Sequence, residues 1–146
     1  MTAALYNATI LRLATSIPHQ ERLDHPHGTS ERRSPVCGSR VTVDVTLDGE
    51  GRVATLGQLV RACALGQASA SLMGAHAIGR TPEELEAARD ALTDFLAGHR
   101  DDPGDWPGLQ IFAPARPHSA RHASIRLAFE AVAEAARRAA ALAPAR

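Results

Sequence analysis

Lysine is absent from this sequence; all 16 basic residues are arginine. That excludes a Walker-type phosphate loop, which needs its lysine, and any enzyme built on a lysine Schiff base. Aromatic residues are scarce as well, at 3% of the chain against 45% apolar overall. The core must therefore be aliphatic and rich in alanine. There is no long apolar run: the longest uncharged stretch, Ala62 to Gly79, is broken by Gln67, Ser69, Ser71 and His76, too short and too polar to span a bilayer. Neither sign of charge is in excess, 16 acidic residues balancing the 16 arginines. Such a surface argues against nonspecific nucleic-acid binding and against attraction to a membrane surface. Residues 1–17 carry no basic stretch ahead of their apolar residues and do not read as a secretory signal. The expected compartment is a reducing cytoplasm, where a structural disulfide between the only two cysteines, Cys37 and Cys63, is not expected. Two thiols there are either inert packing residues or the makers of metal or sulfur chemistry.

What is present reads as one domain over residues 1–146. Tyr6, Ile10 and Leu13 have helical spacing over 5–16, ended by Pro18. A polar loop over 19–34 runs into a short edge strand. Val41, Val43, Val45 and Leu47 then alternate with Thr42, Asp44 and Thr46, the period of a half-buried strand. Asp48-Gly49-Glu50-Gly51 is a turn, and Val53 to Ala62 returns as the partner strand. A helix of small residues is expected over 64–77. Thr81-Pro82-Glu83-Glu84 is a helix start, with Thr as N-cap, Pro in the first turn and Glu three residues on. That helix should stop at Gly98. A loop rich in Pro and Gly, holding Trp106, covers 99–117 and is either ordered or mobile. A last helix over 119–143 carries Ile125, Ala128, Phe129 and Val132, with a frayed end from 137 to 146. The fold class predicted is α+β: a small antiparallel sheet of about three strands with helices on one face.

The cysteines sit at informative places. Cys37 lies in Pro35-Val36-Cys37-Gly38, a turn just before the first long strand; Cys63 lies between the second strand and a helix start. A helix N-terminus favours a thiolate. A hairpin brings the start of one strand near the end of its partner, so the two cysteines can share a site at one end of the sheet. The spacing equally admits a buried Cys63 that only packs and a solvent-facing Cys37 without a role. Of the seven histidines, His19, His25 and His27 share a polar loop, and His76 reads as a helix-surface residue. His118 and His122, four apart, can share a helix face toward one metal.

Several motifs together resemble the NifU N-terminal/IscU/SufU family. Pro35-Val36-Cys37-Gly38 before an alternating strand looks like its first cysteine motif. Arg61-Ala62-Cys63-Ala64-Leu65-Gly66-Gln67-Ala68-Ser69-Ala70-Ser71 looks like its second. The stretch Ala75 to Glu84 resembles the family's helix, Gly-basic-Thr turn and next helix. Ala120-Arg121 and Leu127-Ala128-Phe129 resemble the flanks of its third cysteine, and the long loop before them is closer to the SufU branch. The likeness runs over roughly residues 5–136.

The resemblance implies an assembly scaffold for a transient iron–sulfur cluster, or a sulfur acceptor of the zinc-bearing SufU kind, fed by a cysteine desulfurase and serving apo iron–sulfur clients. It implies a scaffold or sulfur carrier more than a true enzyme. The family's ligands are three cysteines and an aspartate. Cys37 and Cys63 match, but Ser39 stands at the aspartate position and Ser124 at the third cysteine. A serine hydroxyl supplies neither the charge nor the softness that zinc or cluster iron prefers. The ligand set expected is thus Cys37 and Cys63 with His122 as a third donor, Cys63 being also the persulfide carrier. The other reading is a non-catalytic paralogue that binds a desulfurase or client with no metal at all. The IscU chaperone motif has no good counterpart in Pro117-His118-Ser119. Should a cluster form, two thiolates per chain predict a homodimer whose four cysteines bridge it.

Overall fold

The structure is a computed structural model that describes residues 5–35 and 38–142. Helix α1 (Ala8–Ala14) starts where the Asn7 side chain accepts the Ile10 N–H at 3.0 Å. Three strands follow: β1 (Gly28–Arg33), β2 (Arg40–Leu47) and β3 (Val53–Arg61), antiparallel in the order β1-β2-β3. The predicted hairpin is β2–β3. Its turn is held by Asp48, whose carboxylate accepts the N–H groups of Glu50 and Arg52 at 2.8 and 3.1 Å. A bulge beside Leu47 shifts the register at that end.

Three longer helices complete the chain: α2 (Ala64–His76), α3 (Pro82–Leu96) and α4 (His122–Leu142). The expected cap of α3 is complete. Thr81 accepts from the Glu84 N–H, and the Glu84 carboxylate accepts from the Thr81 N–H at 2.9 Å. Val41, Val43 and Val45 point to one face of the sheet and are wholly buried beneath α4, which crosses β1 and β2. Contact there is close because Gly28 has no side chain: a Cβ would lie 2.1 Å from the Ala135 carbonyl oxygen. Helix α2 packs between α1 and α4, its small residues Gly66, Ala68, Ser69 and Ala70 buried. This is the α+β sandwich expected from the strand period and the apolar helix faces.

Three features go beyond the expectations and have physical causes. The segment 99–117 is ordered: Leu109–Ala115 forms a 3-10 helix burying Leu109 and Phe112, and the buried Trp106 donates its indole N–H to the Leu72 carbonyl at 2.9 Å. The stretch 137–142, expected to fray, is the helical end of α4. Arg137 there pairs with Glu83 and Glu86 on α3 at 3.0 and 2.8 Å, and Ala139 packs against Gly28. The polar face of β2 is also covered in part. Asp44 is fully buried under the segment 19–27 and accepts from Arg22, Leu23 and Thr29. Among the described residues no helix is long and apolar enough to cross a membrane.

Candidate functional site

Three elements meet at the end of the sheet where β2 begins and β3 ends. Cys63 follows β3 and is the N-cap of α2, with extended backbone and its carbonyl accepting the Gln67 N–H at 2.9 Å. Its side chain does not cap the helix. The sulfur turns instead toward α4, where Cys63 Sγ lies 3.1 Å from Ser124 Oγ. Ser124 Oγ in turn lies 3.4 Å from Ser39 Oγ, on the residue before β2. Ser39 and Ser124 are buried, while Cys63 is half-buried and so reachable from outside.

Local sequence explains why these groups converge. Gly66, one turn into α2, clears the space: a Cβ there would stand 2.6 Å from Ser124 Oγ and 2.8 Å from the Ala62 methyl. Ser69, one turn further, donates to the Ile125 carbonyl at 2.6 Å and fixes α2 against the first turn of α4. A hydroxyl has one proton and two acceptor lone pairs. Ser124 can therefore donate to the Cys63 sulfur while accepting from Ser39. The free N–H groups of the first turn of α2 add a positive end at the same place. The arrangement places a hydroxyl donor beside a reachable sulfur.

Cys37 lies outside the described residues, and with it the expectation that it shares a site with Cys63. His122 is 9% exposed and its Nε2 stands 3.0 Å from the carbonyl oxygens of both Ala115 and Arg116. Both partners only accept, so Nε2 carries the proton, and the imidazole closes the end of the 3-10 helix. Only Nδ1 remains for any other partner. Among the described residues no three His, Cys, Asp or Glu side chains gather where a metal ion could be held. Cys63, Ser39 and Ser124 offer one soft donor and two neutral hydroxyls, which do not fit zinc or cluster iron. The sequence reading treated Ser39 and Ser124 as departures from a ligand set. Their hydrogen bonding to one another and to Cys63 depends on the meeting of three distant segments, and no local pattern signals it.

No family model matches the chain. Whole-chain similarity is nevertheless clear. A NifU-like protein (N-terminal) from Brucella abortus, described as nitrogen-fixing, has a crystal structure that superposes with a TM-score of 0.90 at 38% identity, over 96% of this chain and 97% of that one. A putative iron–sulfur cluster assembly scaffold protein for the SUF system from Fervidobacterium islandicum shares the fold, with a TM-score of 0.84 at 19% identity over 93% and 99% of the two chains. The iron–sulfur cluster assembly scaffold protein IscU of Thermotoga maritima is 26% identical over 131 residues, 90% of this chain and 92% of its own. With 38% identity and a TM-score of 0.90 over nearly the whole of both chains, the chain belongs to the NifU N-terminal/IscU/SufU family of iron–sulfur cluster assembly scaffold proteins.

Proposed function

We infer that this protein serves iron–sulfur cluster assembly in the cytoplasm as a sulfur acceptor, taking sulfane sulfur from a cysteine desulfurase and passing it to apo client proteins. The observation that carries this reading is the half-buried Cys63 sulfur at the head of α2, 3.1 Å from the Ser124 hydroxyl. The Cys63 thiolate attacks the outer sulfur of the donor's persulfide. A new S–S bond forms on Cys63, the donor's S–S bond breaks, and the donor leaves as thiolate, with no net oxidation or reduction. Ser124, by donating its hydroxyl, stabilises the negative charge on the sulfur before and after transfer. No step is routed through a metal, because the described donors do not fit one. In this reading the protein is a carrier with no turnover of its own.

The test is intact-mass analysis after incubation with a desulfurase and free cysteine. A gain of one sulfur, lost in Cys63→Ser and kept in Cys37→Ser, is the expected result. A chain that binds the desulfurase without any gain in mass would establish the second reading, a non-catalytic paralogue, which the serines at positions 39 and 124 favour. A scaffold role with metal has its own signature. Anaerobic reconstitution giving one cluster and four cysteines per dimer would mean that Cys37 and Cys63 of two chains together replace the missing ligands.

A further inference from the structure

Strand register sets three guanidiniums in one row. Arg40 opens β2 directly opposite Arg33 on β1 and Arg61 on β3. Residues so paired share a face, and this is the face opposite the buried valines, away from α4. Like charges directly opposed across strands destabilise a sheet. Compensation here is thin. Glu31 meets Arg33 at 2.9 Å and reaches Arg40 only at 4.0 Å. The Arg61 side chain has no ion pair or hydrogen bond among the described residues. Glu31 is itself held ionised, its carboxyl pulled below the ordinary value chiefly by the hydrogen bond from Arg33. Three cations against one anion leave a surplus of two positive charges.

The same three arginines, with Ser34, Pro35 and Gly38, line an open groove of about 410 Å³, a size common among small-ligand clefts. Among the described residues its lining holds no acid and no aromatic ring on which a nucleobase could stack. Guanidinium forks match tetrahedral oxyanions two bonds at a time, and the charge surplus matches a dianion. We propose that this groove is a phosphoryl-binding site, in which Arg40 at the centre and Arg33 and Arg61 on either side clamp a phosphate dianion, free or carried on a small ester. The site stands independently of whether Cys63 carries sulfur, since none of its residues belongs to the Cys63–Ser124–Ser39 group.

Calorimetric titration of the full chain at low salt tests it, with inorganic phosphate and glycerol phosphate as the two probes. Saturable binding is expected, weakened about tenfold or more in Arg61→Gln and in Arg40→Gln, as for loss of one charge-assisted hydrogen bond, and unchanged in Arg12→Gln on α1. Tighter binding of glycerol phosphate than of inorganic phosphate assigns the site to an ester; equal affinity assigns it to free phosphate. Circular dichroism confirms that each variant is folded before titration. The proposal is overturned if neither probe saturates, if both groove variants bind as the unsubstituted chain does, or if potassium chloride at matched ionic strength gives the same response.

Discussion

Asp44 and Arg40 stand on the same face of the same strand, four residues apart, and the protein treats their charges in opposite ways. At Asp44 the sheet is closed. The carboxylate is wholly buried and accepts two bonds from the Arg22 guanidinium at 2.7 and 3.1 Å, one from the Leu23 N–H at 3.0 Å and one from the Thr29 hydroxyl at 2.6 Å. The segment bearing Arg22 can lie flat there because Gly57, paired with Asp44, has no side chain; a Cβ would stand 2.3 Å from the Glu21 carbonyl oxygen. At Arg40 the sheet is open, and three cations share one carboxylate. A charge met on all sides serves the fold. A charge left in surplus beside a groove costs stability and is available to something outside the chain.

The largest effect should come from Asp44→Ala. It removes the acceptor of four hydrogen bonds, leaving the Leu23 N–H and the Thr29 hydroxyl without it while the half-exposed Arg22 turns to water; bonds to a charged group contribute about 1.5–3 kcal/mol each, so a loss of about 3 kcal/mol is expected, read as a lower urea midpoint. The same contacts give the wild type a distinctive acid limb. Burial disfavours the Asp44 charge, but the hydrogen bonds from Arg22, Thr29 and Leu23 outweigh it and hold the carboxyl below its ordinary value of 3.8. A carboxyl depressed by folding contributes its full stability above the unfolded value and loses it as pH falls through the folded one. Stability should therefore decline with acid below about pH 4, and Asp44→Asn, already weakened at neutral pH, should show a flatter decline there. Next comes Gly57→Ala, which lifts the 19–27 segment off the sheet and should cost about 2 kcal/mol as an overpacking change. If Gly57→Ala melts like the wild type, the closed end is not held as described. The smallest effect, and of opposite sign, belongs to the open end. Arg61→Gln removes a like-charge opposition and should raise stability by about 0.5 kcal/mol at low salt, the gain shrinking as salt is added. A loss of stability instead would mean that the arginine row is compensated after all.

The contrast between the two ends could not be read from the sequence, although most of the architecture could. The Val41-Val43-Val45 alternation, the Thr81–Glu84 cap and the stop at Gly98, which adopts φ +83°, are all local signals, written within a few residues. The period of two marks Thr42, Asp44 and Thr46 as one polar face, but it is blind to a loop that folds back from twenty residues away to bury Asp44 completely while Thr46 stays half-buried. The 3-10 helix within 99–117 was hidden for a similar reason. Pro and Gly suggest a loop, and the apolar Leu109 and Phe112 find their partners only in the assembled core, where their 3-10 helix packs on α3. At the candidate site, Cys63 was legible from its place before a helix of small residues. His122 was expected as a third donor from its place two residues before Ser124; its Nε2 goes to two carbonyls seven and six residues back.

Trp106 is the chain's one tryptophan, and its setting makes it an optical gauge. The indole lies edge-on to Phe129 with ring centres 5.1 Å apart, bears the Arg80 guanidinium 4.6 Å above it, and is tied by its N–H to the Leu72 carbonyl. It therefore touches α4, α2 and the turn before α3 at once. Shielded from water, it should emit toward the blue, and release of the 99–117 segment should shift that emission to the red while the backbone signal of α4 persists. Undocking of this one segment thus becomes visible in the native protein, with no label attached.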